Sequence, residues 1–404
     1  MTTRWTIGVA SGSSGDGVDA ALAEIDGVGL DVRARVVHAT HQGYPRDVRN
    51  LIQQCTSAAP ADMKQVCLLH RLLGEVFAAG IRLLADESRF NLHDVQCIGC
   101  PGHAIWHEPE GRFPGTLTVG MAAVVAERTG ITTVSDFRAR DIAAGGQGVP
   151  LTALADYLAF RHPTEDRLLL HLGGIARLVH LPAGGRLNEV TGFEAGPCNL
   201  LLDSLMRHLT GGREAYDPGG KNAVQGRCIE VLLERWLSHP YWRRRPPKSL
   251  PRNGWVETFV KQAVEQTRQM NWPLHDLLCT AAHLVATGAA QAIQQFLPSR
   301  RSNLRVLLSG GGTRNGLLWH LLEQQLSQAK LERIDCLGVS ADQRKSLAFG
   351  VLAALTMDGV PANVPSATGA SSARLLGNLT PGSPTNWARC LSWMASLTQL
   401  PAAA

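Results

Sequence analysis

Glycine-rich turns recur along this chain, and several of them follow a short apolar segment that is typical of a buried β-strand. They lie near residues 12, 146, 173 and 311, with strand and helix patterns between them. Glycine between a strand and the next element lets backbone N–H groups approach an anion, because no Cβ stands in the way. The recurrence predicts two α/β lobes, each giving a phosphate-binding turn to a central cleft.

The length and composition of the chain agree with two lobes. At 404 residues the chain exceeds the size at which one hydrophobic core usually stops growing. Hydrophobic residues make up 45% and charged residues 18%, which is ordinary for a globular protein, and no apolar run is long enough to cross a bilayer. We therefore expect no membrane partner.

The start of the chain and its cysteines predict a cytoplasmic location. The N-terminus has neither the long apolar region nor the small-residue cleavage site of a signal peptide. The nine cysteines are odd in number and scattered, which is typical of reduced thiols rather than of a disulfide framework. Cys97 and Cys100 form a lone CxxC that we interpret as structural, because no second pair stands at zinc spacing.

The positive charge of the chain is concentrated in one short run. The net charge is +5, and much of the excess lies in residues 243–248, which read RRRPPK. No nucleic-acid-binding motif accompanies the run, so we expect no nucleic-acid partner. A solvated loop and a clamp on phosphate both explain it.

The first glycine turn lies between two strand-like segments, residues 5–10 and 20–25. Its N–H groups and hydroxyls are suited to wrap a phosphate, and Asp16 or Asp19 is suited to hold Mg²⁺ directly or through water. The predicted phosphate ligands are Gly12, Ser13, Ser14, Gly15, Asp16, Gly17 and Asp19. The Gly-Lys-Ser/Thr end of a P-loop is missing, and a tight β-hairpin explains the segment equally well.

The segment from Arg138 to Pro150 combines fixed charges with three glycines. It follows a strand-like run at 131–134 and precedes a helical pattern at 151–160, and a loop in such a place is often functional. We predict that it meets the ligand, with Arg138 or Arg140 stabilising charge. The further predicted contacts are Asp141, Gly146 and Gln147.

A strand at 95–99 leads into a stretch with two histidines and a tryptophan. His103 and His107 are four residues apart, but prolines and a glycine in the same stretch oppose the helix that would bring both to one metal ion. We therefore expect a ligand-facing loop rather than a zinc site. His103 would offer a polar contact and Trp106 a flat apolar surface of the kind on which sugars stack.

The second half of the chain holds two more glycine turns and one notable carboxylate. Gly173 and Gly174 interrupt a buried strand and are typical of a second phosphate turn. Gly310 to Gly312 follow a strand and precede a helix, which leaves a gap of nucleotide size. Glu194 stands before a Gly-Pro turn, where a carboxylate suits acid–base chemistry, although an ordinary loop glutamate would look the same. The last twenty or so residues look peripheral.

Four motifs carry a resemblance to the 1,6-anhydro-N-acetylmuramic acid kinase family of the actin, sugar kinase and Hsp70-like superfamily. They are Gly12 to Asp19, Asp136 to Pro150, Gly192 to Asn199 and Gly310 to Gly312. The resemblance covers most of residues 5–370 and implies an α/β fold with two RNase-H-like lobes around a central cleft. Residues 1–148, joined by part of 366–404, would form the N-terminal lobe, and residues 149–365 the C-terminal lobe.

The resemblance implies a kinase that takes Mg²⁺, ATP and a small-molecule sugar, as a step of cell-wall amino-sugar recycling, and it allows a homodimer. Glu194 would activate water to open an intramolecular sugar acetal while the released O6 takes the γ-phosphate. The nucleotide would lie against Gly12 to Asp19, Gly173, Gly174, Gly310, Gly311 and Gly312. The sugar would be contacted by His103, Trp106, Asp141, Gly146 and Gln147.

Several positions depart from the family pattern, and they keep two alternatives open: a kinase for a different sugar, and a non-catalytic relative that senses a ligand or binds a partner. The family's catalytic Asp falls on Glu194, and the longer side chain needs a compensating change, which we expect in residues 100–104. The remaining departures are the sugar-contacting loop at Cys100 to Ala104, His171 and Arg177 in place of two Asn, and Lys345 in place of a Glu.

Overall fold

The computed structural model describes residues 3–12, 15–56, 61–251, 255–297 and 304–398. Ser13 and Ser14, two of the predicted phosphate ligands, lie outside the described residues. The described chain forms two compact units, one that runs to Phe160 and resumes at Gln343, and one from Arg161 to Asp342. Residues 149–160 and 343–365, which the sequence assigns to the C-terminal lobe, belong to the first unit.

The first unit begins with strands and two helices, and the second of these helices starts at a capping box formed by Asp62 and Gln65. The elements are β1 (Arg4–Ser11), β2 (Gly17–Asp26), β3 (Arg33–Gly43), α1 (Arg46–Thr56) and α2 (Met63–Ser88). Shorter elements follow: β4 (Val95–Cys100), β5 (His103–Glu108), β6 (Gly115–Val119), α3 (Ala122–Thr129), β7 (Thr132–Ser135), α4 (Ala139–Ala143) and α5 (Ala153–Phe160).

The second unit opens on a three-stranded antiparallel arrangement and continues with helices. Its first elements are β8 (Asp166–Leu172), β9 (Ile175–Leu181), β10 (Thr191–Pro197), α6 (Asn199–Thr210), α7 (Glu230–Leu237) and α8 (Pro240–Arg243). The rest are α9 (Trp255–Gln269), α10 (Leu274–Phe296), β11 (Leu304–Ser309), α11 (Gly316–Gln325) and β12 (Lys330–Arg333). The chain then completes the first unit with α12 (Arg344–Met357), α13 (Pro365–Thr368), β13 (Asn378–Thr380) and α14 (Pro384–Thr398).

Both units contain the same kind of sheet. The strand order is β13-β7-β4-β1-β2-β3 in the first unit and β10-β9-β8-β11-β12 in the second. In each sheet the first three strands, β1 to β3 or β8 to β10, are antiparallel. Two later strands, β4 and β7 or β11 and β12, extend the sheet in parallel from its first strand. This is the RNase-H-like arrangement, and it confirms the predicted α/β class with one such lobe in each unit.

Close helix-to-sheet packing explains two glycines of the first unit. A Cβ on Gly8 would lie 1.8 Å from the carbonyl oxygen of Ser346, and one on Gly99 would lie 2.0 Å from that of Phe349. Helix α12 therefore lies directly against β1 and β4, at a distance that no larger residue would allow. In the second unit the alanine-rich α10 is buried along much of its length in the core.

Three local predictions were wrong. Residues 103–108 form strand β5, paired with β6, where a loop was predicted, because Pro101 and Gly102 exclude a helix but not a hairpin. The Arg138–Pro150 segment contains helix α4. Helix α14 is not peripheral, since Asn386 is buried and donates to the carbonyl oxygens of Val95 and Gln96. Among the described helices, none combines the length and the apolar character needed to cross a bilayer.

Candidate active site

Glu194 lies within strand β10, not on the turn that follows it. The residue is 2% exposed and stands opposite Arg177 of β9 in the antiparallel register. The ladder shifts between Glu194 and Gly196, and such a bulge redirects the side chain beside it. Arg177 Nη2 donates to Glu194 Oε1 over 2.8 Å, so the carboxylate is held across the two strands.

A second segment also holds Glu194. We call residues 241–250 the strap, because three of them bond to this one glutamate. The Tyr241 hydroxyl donates to the Glu194 carbonyl oxygen over 2.7 Å, and Glu194 N–H donates to the Lys248 carbonyl oxygen over 3.1 Å. The Leu250 N–H donates to Glu194 Oε2 over 2.7 Å. Both carboxylate oxygens and both backbone groups of Glu194 are therefore engaged.

The strap contains the basic run of the sequence, residues 243–248, and the solvated-loop interpretation of that run is wrong at its last residue. Lys248 is 1% exposed, and its Nζ donates to the carbonyl oxygens of Tyr241 and Trp242. The ammonium also lies 4.8 Å from the ring centroid of Tyr241 and 4.9 Å from that of Phe296. Burial, together with the nearby charge of Arg244, lowers the pKa of Lys248 to about 8.

Gly173 and Gly174 form the turn between β8 and β9 and are bound to the start of helix α6. The Gly173 carbonyl oxygen accepts from Asn199 N–H over 3.0 Å, and that of Gly174 accepts from Cys198 N–H over 2.9 Å. These bonds connect the end of the strand that carries Glu194 to the glycine turn. The predicted phosphate turn and the predicted base thus belong to one hydrogen-bonded assembly.

The late glycine turn lies beside the Gly173–Gly174 turn, because β8 and β11 are paired with His171 opposite Ser309. A Cβ on Gly310, whose φ is +86°, would lie 2.8 Å from the Leu172 carbonyl oxygen. A Cβ on Gly312 would lie 2.7 Å from Leu172 Cβ, whereas one on Gly311 would meet only Asn199 Nδ2 at 3.6 Å. Gly311 therefore presents bare backbone with room above it, as an adenosine phosphate would need.

The first turn, in the other unit, and the strand that follows it carry two carboxylates three residues apart, Asp16 and Asp19. Asp16 Oδ1 accepts from Gly17 N–H over 3.0 Å, and Asp19 Oδ1 lies 2.7 Å from His41 Nδ1. Burial, and to a smaller degree the charge of Asp16, raises the pKa of Asp19, while His41 and Lys345 oppose the rise. A cation bound here would relieve that repulsion, so the pair fits the oxygen ligands that Mg²⁺ prefers.

Ser11, the last residue of β1, is the centre of a buried polar network. Its hydroxyl accepts from Tyr44 over 2.7 Å and lies 2.7 Å from His103 Nδ1. Burial raises the pKa of Tyr44, so that the phenol stays a donor. Lys345 Nζ donates to the Ser11 carbonyl oxygen over 2.9 Å, which places the unexpected lysine at the start of the first turn.

The sequence groups His103 and Trp106 at one substrate surface, and the structure separates them. Both lie on β5, but His103 is 2% exposed and points toward Ser11, while Trp106 is 46% exposed. They face opposite sides of the strand because side chains alternate along it. Among the described residues no cluster of three or more His, Cys, Asp or Glu could hold a metal ion, and His107 contacts Thr116 instead.

Asp141 organises the loop in which it lies. It is 0% exposed, and its Oδ1 accepts from Asn363 Nδ2 and from the Thr368 hydroxyl, each over 2.7 Å. Its Oδ2 accepts from Gly148 N–H over 2.8 Å. A Cβ on Gly146 would lie 2.2 Å from Asp141 Oδ2, which explains the glycine. In this structure the Asp141 carboxylate is engaged by the protein itself.

The remaining residues of this loop differ in exposure. Arg138 donates to the carbonyl oxygen of Gly148 and so closes the loop, whereas Arg140 is exposed. Gln147 donates from Nε2 to Glu110 over 3.0 Å, and its N–H donates to the Thr368 carbonyl oxygen over 2.7 Å. The sequence could not rank the two arginines, but the structure gives them different surroundings.

The groups that hold Glu194 carry no motif in the sequence. Arg177 stands out only as a departure from the family pattern, and no pattern marks Tyr241 or Leu250. The one available signal was the RRRPPK run, whose last residue is followed at once by a buried Ser249 and Leu250. The residues of the strap and of β10 that contact each other are far apart in sequence. A hydrophobic pattern within one segment therefore cannot predict these contacts.

Comparison with known proteins agrees with the motifs. The family model described as "Anhydro-N-acetylmuramic acid kinase" matches residues 4–382. Proteins named anhydro-N-acetylmuramic acid kinase are similar over most of the chain. The one from Gloeobacter violaceus is 37% identical over 94% of this chain and 100% of its own. Those from Salinibacter ruber and Caldanaerobacter subterraneus subsp. tengcongensis are 36% and 32% identical, over 94% and 93% of this chain and 97% of each relative.

Proposed function

The chain belongs to the anhydro-N-acetylmuramic acid kinase family, and from that premise we propose that it is an ATP-dependent sugar kinase acting on 1,6-anhydro-N-acetylmuramic acid. The observation that carries the proposal is the Glu194 carboxylate, fixed through both oxygens on a strand whose end is bonded to the Gly173–Gly174 turn. A fixed carboxylate beside a glycine turn is suited to combine proton abstraction with phosphate binding.

The reaction needs one proton acceptor and one phosphoryl donor. Glu194 takes a proton from a water molecule, and the water oxygen bonds to C1 of the sugar. The C1–O6 bond breaks, O6 forms a bond to the γ-phosphorus of ATP, and ADP leaves. The products are N-acetylmuramic acid 6-phosphate and ADP, and the proton passes from Glu194 to solvent.

Phosphoryl transfer depends chiefly on positioning and on stabilising charge. The glycine turns provide the positioning: Gly311 has room above its backbone, and Gly310 and Gly312 hold it in place. Asp16 and Asp19 would hold Mg²⁺, which neutralises phosphate charge when it is bound. Of the two arginines, the exposed Arg140 is the one whose guanidinium is suited to reach a ligand, while Arg138 keeps the loop closed.

The proposed sugar contacts also divide into an exposed side chain that would meet the ligand and buried side chains that support the site. The exposed ring of Trp106 offers a stacking surface, and His103 acts through its contact with Ser11. Asp141 holds Gly146 through its carbonyl oxygen and Gly148 through its carboxylate, the two glycines on either side of Gln147. The Glu194 side chain is held by groups of its own unit, Arg177 and the strap, and a compensating change at residues 100–104 stays a prediction.

The proposal is tested by turnover of the purified protein with Mg-ATP. ADP release should require 1,6-anhydro-N-acetylmuramic acid and should exceed the rate without sugar by at least about a hundredfold. Glucose and 1,6-anhydroglucose serve as control sugars. If a control sugar supports the reaction and the anhydro-muramic acid does not, the proposed substrate is wrong; if no sugar stimulates ADP release, the kinase proposal is wrong.

A further inference from the structure

The contact between Arg177 and Glu194 is more constrained than an ordinary ion pair. The two residues are register partners on adjacent strands, and their side chains are 18% and 3% exposed. Arg177 Nε is buried without a hydrogen-bond partner among the described residues. Burying a guanidinium with an unpaired N–H costs stability, and such pairs are poor stabilisers compared with apolar residues. The arrangement is therefore better explained by what it does to the carboxylate.

The two oxygens of Glu194 have unlike partners. Oε1 accepts from the charged guanidinium of Arg177, and Oε2 accepts from the neutral N–H of Leu250. Both hydrogen bonds are charge-assisted because the acceptor is a carboxylate, but only the guanidinium adds a positive charge, and it does so on the Oε1 side. Each carboxylate oxygen has two lone-pair sites, so each keeps one after these bonds are counted, and Oε2 is the oxygen that has no guanidinium against it.

We propose that Arg177 is the positioning residue of this site: by holding Oε1 it fixes the plane of the Glu194 carboxylate and directs Oε2 to the proton of the attacking water. This inference rests on the proposed function of Glu194 as the base. Arg177 touches the carboxylate and acts through it. A glutamate has one more rotatable bond than an aspartate, and the guanidinium removes that freedom.

The test is steady-state kinetics of the full-length protein with 1,6-anhydro-N-acetylmuramic acid and Mg-ATP. Arg177→Gln keeps a planar side chain and removes the charge. We expect kcat to fall by about tenfold to a hundredfold, because a misplacement of about 1 Å costs rate on that order. The KM for ATP should stay within about twofold. Arg177→Lys keeps a positive charge near Oε1 and should recover part of the loss.

A matched control and a second background separate positioning from simple destabilisation. Arg305 has the same 18% side-chain exposure and pairs with Glu332 and Glu165, so Arg305→Gln removes an arginine with its ion pairs from the same unit and should leave kcat unchanged. In Glu194→Asp the shorter side chain withdraws the carboxylate from Arg177, and Arg177→Gln should then change kcat by less than about twofold.

Each other result overturns the inference. Parental kcat in Arg177→Gln, an equal further loss in the Glu194→Asp background, or an Arg177→Lys variant as slow as Arg177→Gln would show that Arg177 does not position the base. If Arg177→Gln does not fold, Arg177→Lys takes its place. Its effect on kcat is then measured once with Glu194 present and once in Glu194→Asp, and the same outcomes decide the inference. Absence of sugar-dependent turnover in the parent would instead refute the proposed function, so the two failures are distinguishable.

Discussion

Leu250 donates its backbone N–H to Glu194 Oε2 over 2.7 Å, although 56 residues separate the two in sequence. A backbone donor cannot be removed by substitution of its side chain, so the strap must be held in place by other contacts. Lys248 supplies them, through its Nζ and through the carbonyl oxygen that accepts from Glu194 N–H. The orientation of the proposed base thus depends on a buried lysine.

The buried lysine makes stability depend on pH. Its pKa is about 8 in the folded protein and near 10.5 in the unfolded chain, so between these values the unfolded state binds more protons. The free energy of unfolding should therefore rise with pH across this window through Lys248. Relative to that of Lys248→Met, the free energy of unfolding of the parent should increase by at most about 1.4 kcal/mol per pH unit from pH 8 to pH 10.

Denaturant unfolding of both proteins at several pH values measures this difference. Subtracting the variant removes the contributions of the thiols and phenols, which both proteins share. A difference that stays constant, or that shrinks as the pH rises, would contradict the depressed pKa of Lys248.

Asp141 and Arg140 are neighbours in sequence, but their replacement by alanine should change the free energy of unfolding by very different amounts. Asp141→Ala leaves three buried donors, on Gly148, Thr368 and Asn363, without their acceptor, and should lower the free energy of unfolding by about 3 kcal/mol or more. Arg140→Ala removes an exposed side chain and should change it by less than about 0.5 kcal/mol. Equal stability of the two variants by chemical denaturation would exclude a structural role for Asp141.

Local patterns predicted the elements around the glycine turns well. The strands on both sides of the first turn, the strand before Gly310 and the helix after Gly312 are found as the sequence indicates. Each is set by contacts within a few residues, namely apolar periodicity, a glycine at the turn and a helix start. The RNase-H-like class was predicted by resemblance to known motifs rather than by periodicity.

Long-range contacts explain what local patterns could not predict. Asn386, near the far end of the chain, bonds to the first residues of β7 and β4, so a segment that looks peripheral packs against the first sheet. Asp141 finds its donors at Asn363 and Thr368, more than two hundred residues away. Glu194 lies on a strand because β9 pairs with it, although the Gly-Pro that follows is typical of a turn. In each case, contacts between residues that are distant in sequence determine the local structure.

Two glycines of the late turn should respond differently to alanine. Gly310→Ala places a Cβ on a residue with positive φ and 2.8 Å from a carbonyl oxygen, so it should destabilise the protein by more than about 1 kcal/mol. Gly311→Ala meets only an ordinary contact at 3.6 Å and should leave the melting temperature nearly unchanged.

The same variant tests the nucleotide site. If the backbone of Gly311 lies against the nucleotide, the added methyl of Gly311→Ala should weaken Mg-ATP binding by about tenfold or more in calorimetry. Unchanged affinity in a stable Gly311→Ala protein would place the nucleotide elsewhere.

Glu194→Gln keeps the size of the side chain and removes the base. Sugar-dependent ATP turnover should fall by about a hundredfold to ten-thousandfold, the usual contribution of a general base. Mg-ATP affinity should stay within about twofold by calorimetry, because the glycine turns are untouched. Glu194→Asp should retain more activity than Glu194→Gln, since it keeps a carboxylate. A Glu194→Gln protein with the parental rate would remove Glu194 from the mechanism.

The central claim is that one protein both opens the anhydro ring and phosphorylates O6. Mass spectrometry and proton NMR of the product formed from 1,6-anhydro-N-acetylmuramic acid and Mg-ATP test it most directly. We predict a product heavier by one water and one phosphoryl group, with the signals of a free reducing end at C1 and phosphate on O6. A phosphorylated product that keeps the anhydro ring, or a ring-opened product without phosphate, would contradict the account.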